Sequence, residues 1–307
     1  MAVIEFYPKE YQFAWTDVPK VGTWVENLLP VGGTVLLFGP AGTGKTTLAA
    51  HMLNCIENNE QFLGRNTNTT KCMMLSLDTP KNILVRRWLD SVPPFQKDFA
   101  FCPTEPFDCL NPDFKTSQIY TTLKAHVQAH DIKIIVVDSL RDCFKGELVD
   151  DENPKGVYGA FKEWFGDATV VFVHHTRKQQ FAGGKLVEGS IDDEATGSKY
   201  WVNKAQVALY LRKVNQYTLK LDMGKSQCFA PWDESITLQM DNMTVTEYDE
   251  ADGTLHRAAF NAGMTALGAM DPNFHALKMT EKMKRLATHL NINERTVWKW
   301  KVEARQK

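Results

Sequence analysis

No Cys-x-x-Cys pair occurs in the 307 residues, and none of the six cysteines (Cys55, Cys72, Cys102, Cys109, Cys143, Cys228) has histidine partners at zinc-site spacing. Structural zinc and a redox dithiol are thereby excluded, and six buried thiols in a reducing compartment are expected. No apolar run approaches the roughly 20 residues of a membrane span, and the N-terminus lacks a signal-peptide pattern. A soluble, cytoplasmic protein is the expectation. Internal repeats are lacking too. Neither charge sign dominates: 35 Lys and Arg face 37 Asp and Glu, a net of −2. With 43% hydrophobic and 23% charged residues, the chain suits one large α/β domain and something small.

The near-neutral total conceals an asymmetry. Residues 278–307 carry nine Lys and Arg against three Asp and Glu, a net of +6 on an otherwise acidic body. Such a tail suits a polyanion, although a solvated helix surface has the same composition.

What is present is most concentrated at residues 39–46, Gly-Pro-Ala-Gly-Thr-Gly-Lys-Thr, directly after the apolar run Thr34–Phe38. Gly39, Gly42 and Gly44 allow the backbone to curl so that successive N–H groups, Thr43 and Thr47 included, point inward at phosphate oxygens. A helix from Gly44 to about Glu57 adds its positive end. Lys45 reaches β- and γ-phosphates and the Thr46 hydroxyl suits Mg²⁺. Strand, loop and helix together predict binding of a nucleoside triphosphate, ATP with Mg²⁺.

Further strands are predicted at Lys71–Leu77, near Asp98–Cys102, at Ile132–Asp138 and at Ala168–Val173, and helices at Lys81–Asp90, Thr116–Ala129 and Tyr158–Phe165. The alternation indicates a RecA-like, mostly parallel sheet flanked by helices. Strands at Ala205–Leu211, Tyr217–Asp222, Ile236–Met240 and Met243–Tyr248 (turning at Asp241-Asn242) extend it in antiparallel fashion. Gln179–Gly197, polar and glycine-bearing, reads as a long mobile loop. The expected organisation is a core at 1–249 with its lead-in at 1–33, a linker at 250–270 and a helical module at 271–307.

Hydrolysis needs a metal anchor, a base for water and a sensor of the γ-phosphate. Asp138, ending an apolar strand, fits the Mg²⁺ anchor, with Ser139 beside it in the same shell; the bland alternative is a turn-capping carboxylate. Asp78 ends the neighbouring strand, where ligands of open α/β sheets sit, and could orient the attacking water. It could equally cap the helix that follows. His174 and His175 end the next strand, as a phosphate contact or as a hydrogen-bonded strand end. Residues 283–302 have the small residue (Ala287), turn residue (Asn291) and apolar residues (Val297, Trp300) of a helix-turn-helix. This presents Glu294, Arg295, Thr296, Trp298 and Lys299 at the start of a recognition helix. A module for protein contacts is the alternative, and residues 271–280 are expected to add a further helix.

In this order the segments Trp24–Thr47, Phe62–Arg65, Leu75–Pro80, Ile134–Ser139, Val173–Lys178, Thr196–Ser198 and Gly224–Pro231 make the chain resemble the RepA-type hexameric replicative helicases among the RecA/DnaB-like P-loop ATPases. The resemblance covers about residues 20–248. It implies a ring of six with ATP between protomers. It assigns Lys45 and Thr46 to nucleotide and Mg²⁺, Asp138 to Mg²⁺ and His175 to sensing. Asp78 stands where the family has glutamate. Lys225 matches a basic finger reaching into the neighbour's site, and Gln227 replaces an arginine, leaving Lys225 alone or assisted by Lys199 or Lys204. The Gln179–Gly197 loop would line a channel for single-stranded DNA, with Lys178, Lys185 and Lys199 as phosphate partners. A replicative DNA helicase of phage or plasmid type is the first reading. The others are a viral packaging or recombination ATPase, and an ATP-switched DNA-binding regulator or helicase loader.

Overall fold

The computed structural model describes residues 22–84, 100–148, 152–176, 181–182, 185–186, 200–213, 218–230, 232, 234–241, 244–247, 260, 264–265, 267–271, 273–290 and 294–303. A short ladder, β1 (Thr23–Val25) with β2 (Leu29–Pro30), leads into β3 (Thr34–Gly39). Then follow β4 (Lys71–Ser76), β5 (Ala100–Phe101), β6 (Ile132–Asp138) and β7 (Thr169–His175). A two-residue pair, β8 (Phe181–Ala182) and β9 (Lys185–Leu186), precedes β10 (Val207–Lys213), β11 (Thr218–Ser226), β12 (Ile236–Asp241) and β13 (Thr244–Glu247).

Nine strands form one sheet in the order β13-β12-β11-β10-β3-β7-β6-β4-β5. From β10 to β5 every pairing is parallel; from β10 outward through β11 and β12 to β13 every pairing is antiparallel. This is the RecA-like sheet with an antiparallel extension, but the strand expected at Ala205–Leu211 is not part of that extension: β10 pairs parallel with β3, and the antiparallel part begins at β11. Successive side chains point to opposite faces, so the near-continuous apolar runs cover both. Val35, Leu37, Met74, Val136, Val173 and Leu209 join the core under α1 (Lys45–Asn58). Leu36, Phe38, Leu75, Val137, Phe172 and Tyr210 join the core under α2 (Gln118–Ala129), α3 (Glu152–Phe165) and α4 (Tyr200–Lys204). Helices on both sides are what a parallel sheet requires.

The differences from expectation have local causes. The helix expected from Thr116 begins at Gln118, after a 3₁₀ turn over Pro112–Thr116, and Ser117 caps it by accepting from the Tyr120 N–H. α3 begins at Glu152, not Tyr158, because Pro154 sits in a first turn where its missing N–H is not needed. Gly156, which discourages a helix reading, is where Leu110 packs: a Cβ there would lie 2.7 Å from the leucine's Cδ2. Within the segment read as a featureless loop, β8 and β9 pair antiparallel; the intervening Gly183-Gly184 is a hairpin signal. The rest of that loop lies outside the described residues, as do 85–90 of the helix expected at Lys81–Asp90, of which residues 81–84 are helical.

Near the C-terminus, α5 (Met279–Leu290) and α6 (Glu294–Glu303) share a separate small core of Phe260, Met283, Leu286, Ala287 and Val297, with Met264, Leu267 and Trp298 against it. Residues 291–293, Asn291 included, are outside the described set. The supporting helical residues are 264–265 and 267–270, within the stretch read as linker. Residues 271–280 hold instead a 3₁₀ turn at Phe274–Ala276. Among the described residues no helix is long and apolar enough to cross a membrane.

Candidate functional site

The carboxyl ends of β3, β4, β6 and β7 converge on the loop between β3 and α1. Gly39 must be glycine, since a Cβ there would lie 2.0 Å from the Leu211 carbonyl oxygen of β10. Gly44, at φ 90°, turns the chain into α1. No side chain caps this helix and no acidic residue stands in its first turn. Its leading N–H groups are thus left for an anion. The Thr43 hydroxyl braces the loop by donating to the Pro40 carbonyl at 2.9 Å. A curled loop, an uncapped helix end and a buried lysine fit a triphosphate.

Lys45 is 3% exposed, and its Nζ donates to the Gly39 and Pro40 carbonyls, each at 2.8 Å. Burial lowers its pKa to about 8, with Asp138 and Asp78 opposing. The Thr46 hydroxyl donates to Asp138 Oδ2 at 2.6 Å, bringing together the two side chains expected to hold the metal. Asp138 is 1% exposed. Burial raises its carboxyl to about 6 against the Thr46 bond; Asp78 and Asp142 raise it further and Lys45 lowers it.

Asp78 is exposed, and its carboxylate accepts from the Thr79 hydroxyl at 2.8 Å. Ser139 does not turn to Thr46: its hydroxyl donates to Asp142 Oδ2 at 2.5 Å. Asp142 was missed from sequence, where only the Ser139-x-x-Asp142 spacing could have pointed to it. The two histidines separate by strand alternation. His174 is 1% exposed and lies against the Trp201 ring, with centroids 6.4 Å apart. His175 pairs in register with Gly39, and its buried Nδ1 has no hydrogen-bond partner. Burial lowers the His175 pKa, Lys45 adds to this, and Asp78 and Asp142 oppose it. His175 is thus the histidine at the phosphate loop, and largely uncharged at neutral pH.

Lys225 lies elsewhere. It pairs with Ala208, itself level with Leu36 in the lower half of β3. Its ammonium donates to the carbonyls of Val202 (3.3 Å), Ala205 (2.8 Å) and Asn203, at the C-terminus of α4. A cation there meets the negative end of a helix. That helix end lies beside the start of β3, where the Gln206 N–H donates to the Thr34 carbonyl at 2.8 Å. Lys204 and Gln227 are exposed near the same end. Lys178 and Lys199 lie outside the described residues; Lys185 is in β9; Arg295, exposed, and Thr296 and Lys299 are on α6.

A desolvated carboxylate at Asp138 gives a stability prediction. Its pKa is raised on folding, so the contribution is favourable at low pH, where the group is neutral in both states. It is lost as pH rises from about 4 through about 6. Asp138→Asn keeps an acceptor for Thr46 and removes the charge. The nucleotide-free variant should therefore be more stable at pH 7 by up to about 2 kcal/mol. The gain should shrink toward zero below pH 4, as read from urea denaturation across pH. A variant less stable at pH 7 than at pH 4, relative to the parent, would contradict it.

The family profile described as an AAA domain matches residues 12–180. Among solved structures, a KaiC-like protein from the hyperthermophilic archaeon Pyrococcus horikoshii OT3 aligns with a TM-score of 0.49 at 17% identity, over 75% of this chain and 98% of that one. No curated protein matches the chain.

Proposed function

The chain belongs to the AAA-domain family, and from that membership in the P-loop ATPases we propose that it is an ATP-driven nucleic-acid motor, a replicative DNA helicase working as a ring with nucleotide between protomers. One observation carries the reading. A phosphate loop, two carboxylates and a histidine gather at one end of the sheet, while the basic side chain suited to finish the site, Lys225, lies toward the other end. Head-to-tail packing of identical chains brings those two ends together, and forms a ring where the rotation closes and a filament where it does not.

In this reading Lys45 leaves the Gly39 and Pro40 carbonyls for the β- and γ-phosphate oxygens, and the α1 N–H groups hold the phosphates. Thr46 and Asp138 would hold Mg²⁺, which when bound neutralises phosphate charge. Asp78 orients a water for attack on the γ-phosphorus and accepts its proton as the bond to the leaving ADP oxygen breaks. His175, uncharged, donates one N–H to a γ-phosphate oxygen. Loss of that oxygen releases the ring, and β7 passes the change to the segment after Thr176. The α5–α6 pair acts as a helix-turn-helix on duplex DNA, with Arg295, Thr296 and Lys299 at its contact end; Lys178 and Lys185 contact the single strand.

A forked-duplex strand-displacement assay tests this, with electron microscopy to count protomers. ATP-dependent unwinding by closed rings is expected. ATP-dependent DNA binding with no unwinding would replace the motor with an ATP-switched regulator or loader. Asp78 favours that second reading, because it is one carbon shorter than glutamate and already engaged by Thr79; so does Gln227 in place of arginine.

A further inference from the structure

Beside the phosphate site, at the carboxyl ends of β4 and β6, opens a cleft of about 530 Å³ that none of the roles above employs. Its walls combine two cations, Arg141 and Lys145, two carboxylates, Glu105 and Asp142, and two largely buried rings, Phe107 and Phe144. All four charged residues are exposed. The Arg141 guanidinium lies 5.8 Å from the Phe144 ring centre, and one of its nitrogens donates to the Phe144 carbonyl at 3.4 Å. Nothing pairs with the side chains of Lys145 and Glu105 among the described residues.

Volumes of this order hold a ligand of about nucleotide size. The chemistry is mixed in a particular way. An acidic peptide would meet Glu105 and Asp142, and a purely apolar ligand would leave four charges unanswered. A nucleotide answers all of them: the flat face of its base suits the guanidinium plane and the rings, the N–H groups of the base suit the carboxylates, and its phosphate suits Lys145. Asp142 also accepts from Ser139, the residue after Asp138. Filling the cleft therefore acts one residue away from the candidate metal anchor.

On the footing of the nucleic-acid motor reading, we propose that this cleft binds one nucleotide unit of a single strand. Strand binding then touches the hydrolysis site directly, through Asp142 and Ser139, in addition to any channel loop.

The test uses the full chain and a fluorescent thymidine 20-mer. Arg141→Ala with Lys145→Ala should weaken oligonucleotide binding by roughly fivefold to a hundredfold, the range of stacking losses by alanine substitution. Unstimulated ATP turnover should stay unchanged, and Lys162→Ala, on the outer face of α3, should bind as the parent does. Photocrosslinking with 4-thiothymidine should map to residues 103–107 or 141–146. Unaltered affinity in the double variant, or crosslinks confined to other segments, overturns the cleft while leaving the motor reading standing. So does loss of thymidine monophosphate binding with oligonucleotide binding intact. A parent protein that binds no oligonucleotide overturns the motor reading itself.

Discussion

Lys45→Ala is expected to reduce ATP turnover by about a thousandfold while leaving the nucleotide-free protein as stable as the parent. Removing one preorganised donor from a developing oxyanion costs about 10²–10³ in rate, and Lys45 also contributes to ground-state binding of the phosphates. Stability is spared for an opposite reason. The ammonium is buried at 3% exposure with a pKa lowered to about 8. A lysine whose pKa falls on folding contributes favourably only above its unfolded value. That contribution disappears as pH falls from about 10.5 through about 8. At pH 7 the charge is therefore a cost, offset in part by the bonds to Gly39 and Pro40. Between pH 8 and 10 the parent should gain stability relative to the variant. Thermal-shift measurements check both halves. The parent at 100-fold excess of ATP over its dissociation constant should gain about 2.7 kcal/mol, and the variant should gain almost none. An undiminished ATP-dependent shift in Lys45→Ala would remove the phosphate loop from the account.

The parts legible in the sequence are those whose causes are local or repeated. A phosphate loop is specified by eight consecutive residues, and the fold reproduces it because Gly39 alone permits β10 to approach. The strands β3, β4, β6 and β7 declare themselves as near-continuous apolar runs, since both their faces are covered. Placement was less legible. Two adjacent histidines look equivalent in sequence; alternation along β7 sends His174 to Trp201 and His175 to the loop, which is decided by strand phase. Asp142 carries no motif and enters only because the turn after β6 folds back on Ser139. The start of α3 was hidden by Pro154 and Gly156, residues that read as breakers until their tertiary neighbours are known. The basic tail was legible as charge, but its supporting helical residues at 264–265 and 267–270 lie in a segment with too few periodic positions to announce them.

Lys225→Ala should lower the turnover of the assembled protein by about a hundredfold or more, given that basic fingers in related chemistry contribute 10³–10⁵ and that no arginine shares the task here. A purely structural role competes with this expectation. The same ammonium holds the carbonyls of Val202, Asn203 and Ala205 at the end of α4. Losing that cap would cost about 1 kcal/mol and slightly lower the melting temperature. Turnover alone cannot separate the two, but mixing can. Lys225→Ala protomers retain an intact phosphate loop, and Lys45→Ala protomers retain an intact finger. In a mixed ring, wherever the first sits with the second as its finger-donating neighbour, one whole site is rebuilt. Random equal mixing places about a quarter of head-to-tail interfaces in that arrangement. Activity should therefore rise from near zero in either pure variant to about a quarter of the parent's, if sites fire independently. A cap that merely steadies α4 acts within its own chain and cannot be supplied by a neighbour. Mixtures no more active than the average of the two pure variants would place Lys225 in that structural role and leave each site to its own chain.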